Sequence, residues 1–264
     1  MDFPKKENYS IDDLRSIMAI LRSEDGCPWD REQTHKSIRS NMIEEAYEVA
    51  DAIDRENSTD LCEELGDVLL QVVFHCEIEK SENTFDFEDV TTGVCRKLIE
   101  RHPHVFGEVN ADTSEKVLEN WEQIKNKSKQ NDTATKTLES VPKAFPALFR
   151  AQKVQKRAAK AGFDWDEADG AIEKLHEELK ELEDARKSGE SAEVFEEFGD
   201  LLFSAVNVAR FLKIDSEDAL QSATEKFIKR FSKVEELAIK RGINMKEAPL
   251  EELDALWDEI KHQP

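Results

Sequence analysis

Apolar residues recur three and four positions apart through most of the chain, and nowhere do apolar and polar residues alternate strictly enough for a half-buried strand. In the first half this period predicts helices near residues 10–22, 39–56, 59–80 and 86–101, with a further short one from 114 to 127. In the second half helices are expected near 143–161, 170–187, 191–212, 216–240 and 249–262. Gly162, Gly189 and Gly242 stand just past periodic stretches, where C-terminal stops belong, and Ser58 and Ser114 stand at expected N-caps. Between the halves, SKQNDTATKTLESVP (128–142) is polar, aperiodic and closed by proline, which marks a linker. The expected fold class is all-α, with two tandem four-helix-bundle-like domains, residues 1–127 and 143–264.

Two interruptions of the pattern coincide. The run EELGDVLLQVVF (63–74) is built for burial yet carries Gly66 and Asp67, and EEFGDLLFSAVN (196–207) repeats the arrangement. Glu44, Glu45, Glu48, Glu64 and Asp67 recur at one constant spacing as Glu177, Glu178, Glu181, Glu197 and Asp200. Downstream, Lys97 and Arg101 match Lys226 and Arg230, Trp121 and Lys125 match Trp257 and Lys261, and Trp29-Asp30 matches Trp165-Asp166. The spacing drifts by a few residues between these pairs, as loop insertions and deletions produce. The chain reads as two copies of one helical unit.

Composition agrees with helices and narrows the partners. Only 9 glycines and 7 prolines occur in 264 residues, well under average usage. The 59 acidic against 37 basic residues give a formal charge of −22, which repels nucleic acid and anionic membranes at long range. No 18-residue apolar stretch occurs and MDFPKKENYS has no apolar signal core, so a soluble cytoplasmic protein is expected. Cys27, Cys62, Cys76 and Cys95 form no CxxC, which argues for reduced thiols and against a zinc knuckle or disulfide framework.

The repeated acids carry the chemistry. At 100° per residue Glu44, Glu45 and Glu48 share one helical stripe, beside the apolar Met42, Ala46, Val49 and Ile53. Glu64 and Asp67 are three apart on the next helix, and Asp67 lies between Phe74 and Val68. Packed carboxylates without an i+4 lysine repel one another unless a cation lies between them, and a hard divalent ion is the candidate: Mg²⁺, with Mn²⁺ as the alternative. Gly66 and Gly199 are expected to let a partner helix approach so that both helices share ions; the other reading is relief of packing against a bulky neighbour. His102 and His104 in HPHVF are expected to form a helix-ending turn. No Walker GxxxxGK[ST] motif occurs, so a triphosphate would be held through metal ions.

The arrangement EExxE followed by ExxD, here EEAYE (44–48) with ELGD (64–67) and EELKE (177–181) with EFGD (197–200), resembles the MazG nucleoside triphosphate pyrophosphohydrolases. These belong to an all-α group that also contains dimeric dUTPases. GCPWDREQTH (26–35) and ERHPHVFGEV (100–109) are similar to further signatures of the two-domain bacterial members. The resemblance implies Mg²⁺-dependent hydrolysis between the α and β phosphates to a monophosphate and pyrophosphate, in the service of nucleotide pool control, by a homodimer. It assigns the main catalytic and metal site to Glu178, Glu181, Glu197 and Asp200, and a second, weaker or regulatory metal site to Glu45, Glu48, Glu64 and Asp67. Lys226, Arg230 and Lys261 would hold the departing pyrophosphate. Trp257 would line the base pocket, unless it is a core tryptophan.

Two rivals remain at this point. A ferritin-like di-iron protein uses helical ExxH pairs, and Glu32/His35, Glu173/His176 and Glu259/His262 have that form, though none recurs in the other copy. A non-catalytic acidic adaptor predicts no dependence on a divalent metal.

Overall fold

The computed structural model describes residues 3–107 and 133–262, together with 113, 116, 117, 121 and 124. The chain divides into two compact units, Met1–Lys125 and Asn126–Pro264. Among the described residues all regular structure is helical. The first unit contains α1 (Ile11–Leu21), α2 (Pro28–Glu32), α3 (Arg39–Asp54), α4 (Ser58–Glu82), α5 (Phe87–Arg101) and α6 (Pro103–Phe106). The second contains α7 (Ala134–Glu139), α8 (Ala147–Lys160), α9 (Ala168–Ser188), α10 (Ser191–Phe211), α11 (Ser216–Arg241) and α12 (Leu250–Lys261). No helix among the described residues is long and apolar enough to cross a membrane.

Each unit is organised on one long hairpin, α3–α4 in the first and α9–α10 in the second, whose short connections force the two helices side by side. In the first unit α1 and α5 pack on α4, and the core is Met18, Ile38, Val73, Phe74 and Ile78. In the second, α8 packs on α10 and α11, α12 packs on α11, and Val234, Ala238, Leu256 and Ile260 are buried between α11 and α12. Gly189 and Gly242 end α9 and α11 in the left-handed region at φ 80° and 69°, a conformation that glycine enters without a Cβ penalty.

Several expectations need correction. The cap of α4 is Asn57, whose side chain accepts from the backbone N–H of Thr59 and Asp60, and Ser58 is the first helical residue. The segment 128–142 was expected to be aperiodic, but it contains α7, capped by Thr133 and tied to α8 by the Arg157 guanidinium, which donates to the Thr137 carbonyl and to Ser140 Oγ (2.7 Å). Helix α8 starts at Ala147 and not at 143, because residues 142–145 form a turn and Pro146 caps the helix at ψ 144°, a proline that disfavours helix in the residue before it. One-turn helices such as α2 and α6, each led by proline, are too short to display a period. Most of the short helix expected over 114–127, its Ser114 cap and residues 128–132 lie outside the described residues.

GCPWDREQTH is a strap across the first unit. A Cβ on Gly26 would collide with the carbonyl oxygens of Ile20 and Leu21, so this close turn requires glycine. Arg22 stacks on Phe74 at 5.2 Å and donates to the carbonyls of Asp30 (2.5 Å) and Gln33 (3.3 Å). At the end of the strap His35 Nδ1 lies 2.7 Å from His75 Nδ1, and His35 Nε2 lies 2.6 Å from Glu79 Oε1. Of the two facing Nδ1 atoms one must donate and the other accept, so the pair cannot carry two full charges. Burial, then the neighbouring His35, pushes the His75 pKa below its ordinary 6.5. A depressed histidine favours the fold while neutral, so its contribution is present above about pH 6.5 and is lost as pH falls below it. The urea midpoint of the first unit should therefore drop between pH 7.5 and 5.5, and His75→Gln should flatten that dependence. An unchanged pH slope in the variant would remove the imidazole pair from the account.

Candidate active site

The short α3–α4 and α9–α10 connections bring EExxE of one helix against ExxD of the next. In the second unit Glu178, Glu197 and Asp200 each present a carboxylate oxygen, and the three oxygens lie within 4.8 Å of one another. Glu178 is only 5% exposed, Glu197 is half-buried and Asp200 is exposed. Glu181, the fourth expected member, is exposed one turn along α9, outside this trio. Partial desolvation and then the Glu178 charge push the Glu181 pKa up; desolvation and then Glu181, Glu178 and Asp200 do the same to Glu197.

In the first unit the converging oxygens belong to Glu45, Glu48 and Glu64, again within 4.8 Å of one another. Asp67 lies outside this trio but contributes to raising Glu45, where desolvation and a hydrogen bond with Glu48 act more strongly, and Glu64, where desolvation leads. The two copies thus gather different subsets of the same acids: Glu48 joins its trio where its counterpart Glu181 does not, and Asp200 joins where Asp67 does not. Three ionisable oxygens at this separation are a hard-cation donor set and contain no nitrogen or sulfur ligand.

Three sequence expectations about these acids fail in part. Lys174 stands one turn before Glu178 and pairs with it, Nζ to Oε1 2.7 Å, and with Glu177 at 2.8 Å. The hydrogen bonds it donates to Glu177 and Glu178 raise the lysine pKa further. Asn41 occupies the equivalent place in the first copy, so only the second trio has a built-in counter-ion. A Cβ on Gly66 or Gly199 would meet nothing within 4 Å, so neither glycine serves close approach inside the chain. Asp200 is exposed, and Ala46 and Ile53 beside the first stripe are exposed as well, because those helix faces have no neighbour within the unit.

The expected cations come together on α11 and α12 of the second unit. Lys226, Arg230 and Lys261 line one open groove of about 750 Å³ formed by α11 and α12. Trp257 is not among its lining side chains; it packs on Phe227 at 5.2 Å between ring centres and on the α11–α12 core, the alternative weighed for it from the sequence.

A second concavity, of about 620 Å³, lies between α8, the 161–165 turn and α10 and includes Phe163, Trp165, Phe203 and Asn207. Gln155 is buried beneath it and donates Nε2 to the Phe203 carbonyl at 2.7 Å, which leaves its Oε1 buried without a partner. Phe203 stands three residues beyond Asp200 on α10, so this hollow begins one turn from the acid trio. The only signal for it in the sequence was the pairing of Trp165-Asp166 with Trp29-Asp30.

The pattern of the MazG nucleotide pyrophosphohydrolase domain matches residues 33–106 and again 167–235. The chain belongs to the MazG family. Both MazG copies contain one acid trio on its helical hairpin, and both matches span EExxE and ExxD. A nucleoside triphosphate pyrophosphohydrolase/pyrophosphatase MazG of Thermotoga maritima is 47% identical over 257 residues, covering 97% of this chain and 98% of that protein. The nucleoside triphosphate pyrophosphohydrolase of Escherichia coli K12 is 45% identical over 256 residues, covering 96% and 97%. The uncharacterized protein YabN of Bacillus subtilis is 46% identical over 249 residues, 94% of this chain but 51% of its own length.

The MazG assignment displaces the di-iron reading, and the geometry agrees. His35 is engaged by His75 and Glu79, and Glu259 is engaged by Arg241 at 2.7 Å. Neither carboxylate trio includes a histidine. In the first MazG copy HPHVF ends α5, as expected, and continues into the one-turn helix α6: α5 stops at Arg101, His102 Nδ1 donates to the Leu98 carbonyl at 2.6 Å, and the His102 ring meets Trp121 edge-on at 5.6 Å. Arg101 lies over the same Trp121 ring at 5.9 Å.

Proposed function

We propose that this MazG chain hydrolyses nucleoside triphosphates between the α and β phosphates, releasing a monophosphate and pyrophosphate, chiefly at the second unit. The observation that carries the reading is the Glu178, Glu197 and Asp200 trio on α9–α10, three converging carboxylates that a divalent cation would stabilise. Relatives of nearly the same length named for this activity support it. Mg²⁺, or Mn²⁺ in its place, held by this trio would balance triphosphate charge and lower the pKa of a bound water.

The remaining steps fall to the chain's own groups. Lys174 holds Glu178 in place, and Glu181 completes the acid set one turn away. As the water oxygen bonds to the α phosphorus, the bond from that phosphorus to the α–β bridging oxygen breaks, and the charge moves onto pyrophosphate. Lys226, Arg230 and Lys261 receive that charge. The hollow beside Asp200 takes the base, with Phe163 and Trp165 as stacking surfaces and Gln155 Oε1 as an acceptor for a base N–H. Glu45, Glu48 and Glu64, with Asp67 nearby, form a second, weaker or regulatory metal site.

The reading extends to a cytoplasmic homodimer, with the domain borders at 1–127 and 143–264 and a role in nucleotide pool control. Phe195 is 83% exposed and Phe198 52%, on the helix that carries Glu197 and Asp200. Apolar exposure of this size beside a site marks a contact surface, and a second copy would cover the open faces at Gly66 and Gly199.

Product analysis tests the reaction. Incubating the protein with dGTP and Mg²⁺ should yield dGMP and pyrophosphate in equal amounts by anion-exchange chromatography. Formation of dGDP and phosphate, or no cleavage of any triphosphate with any divalent metal, would refute it.

A further inference from the structure

The α11–α12 groove holds more cations than the three assigned to the departing pyrophosphate. Besides Lys226, Arg230 and Lys261 it is lined by Lys229 and Lys233, with Glu225 as its one acid. Glu225 faces Gln221, which donates to it at 3.4 Å. None of the five cations makes an ion pair among the described residues.

Spacing turns the excess into a track. Lys226, Lys229, Arg230 and Lys233 fall at i, i+3, i+4 and i+7, one stripe of α11 that runs about 10 Å along the helix axis. Like charges so placed repel one another, and acids are plentiful enough to have relieved them. The corresponding stripe in the first copy reads Lys97, Glu100, Arg101 and His104. There an acid replaces Lys229 and a histidine replaces Lys233, so the unbroken stripe belongs to the second copy alone.

We propose that Lys229 and Lys233 form an additional phosphate subsite at the far end of this groove, so that it binds linear polyphosphates longer than pyrophosphate. The inference rests on the reading of Lys226, Arg230 and Lys261 as the pyrophosphate-holding cations and extends their site by one helical turn. In catalysis the subsite would favour substrates whose leaving group exceeds two phosphates, such as nucleoside 5′-tetraphosphates, and would make tripolyphosphate a stronger product-like inhibitor than pyrophosphate.

The test is titration calorimetry of the full chain with inorganic pyrophosphate and inorganic tripolyphosphate, in EDTA at fixed ionic strength. Wild type should bind tripolyphosphate about tenfold more tightly than pyrophosphate. The double variant Lys229→Gln/Lys233→Gln should lose that advantage and keep its pyrophosphate affinity, with circular dichroism confirming its helices. Lys226→Gln should weaken both anions. Lys240→Gln/Lys246→Gln, an equal change of charge outside the groove, should preserve the advantage. Equal binding of the two anions by wild type, or an advantage that survives Lys229→Gln/Lys233→Gln or disappears in the control pair, overturns the proposal and leaves the pyrophosphate site standing. Failure of wild type to bind pyrophosphate at all overturns both.

Discussion

Glu197→Gln should lower dGTP turnover by roughly 10²-fold or more, while Glu64→Gln keeps most of the wild-type rate. Glutamine preserves the shape of the side chain but removes one of the three charges that meet within 4.8 Å in the second unit. Even the outer partners of metal ligands typically cost about 10- to 100-fold when removed, so loss of a direct carboxylate should exceed that. The defect should appear in kcat, with the Mg²⁺ dependence moved to higher concentration. Glu64→Gln makes the same chemical change in the first trio, which has no lysine counter-ion and no unbroken cation stripe beside it in sequence. A loss confined to Glu64→Gln would move the catalytic site to the first unit, and losses of only about half in each variant would mean that both units turn over substrate.

Removal of divalent metal should abolish turnover and lower the thermal midpoint. Glu45 and Glu64 in one unit, and Glu181 and Glu197 in the other, all have raised pKa values, with desolvation the leading cause and neighbouring carboxylates adding to it. A raised carboxylate destabilises the fold once it is ionised at neutral pH, and a cation bound only by the folded state removes that strain. At free Mg²⁺ about 100 times the dissociation constant, this linkage shifts the midpoint of a domain of this size on the order of 10 °C. Differential scanning calorimetry with EDTA and with Mg²⁺ measures it. Glu197→Gln should melt higher than wild type in EDTA, because one repulsive charge is gone, and should gain less from Mg²⁺. A variant that melts lower in EDTA and responds fully to Mg²⁺ would show that Glu197 is not a ligand.

The long helices were legible because each carries many turns of one period: α4, α10 and α11 lie within two residues of the bounds expected for them. Stops at Gly189 and Gly242 were legible because glycine enters the left-handed region freely. Elements of one or two turns, α2, α6 and α7, were not, since a period needs repetition to show. Pairing of EExxE with ExxD could be read from the repeat alone. Which three acids meet could not, because that depends on the rotation of each helix about its axis: Glu48 is inside its trio and its counterpart Glu181 is outside the other. Lys174 was overlooked as an i+4 partner although its spacing was visible, and of the two readings weighed for Trp257, base pocket and core, its contacts with Phe227 and the α11–α12 core favour the second.

The amino-acid sequence by itself determined the all-α class, the duplication, the acid motif and, through those residues, the family, because each rests on local periodicity or on residue types at fixed separations. Only the tertiary structure decided the composition of each trio, the strap locked by His35 and His75, the hollow above Gln155 and the unpaired cation groove. Those features join side chains from different helices, and their geometry follows from how the cores of Phe74 and Leu256 pack, which no spacing along the chain encodes.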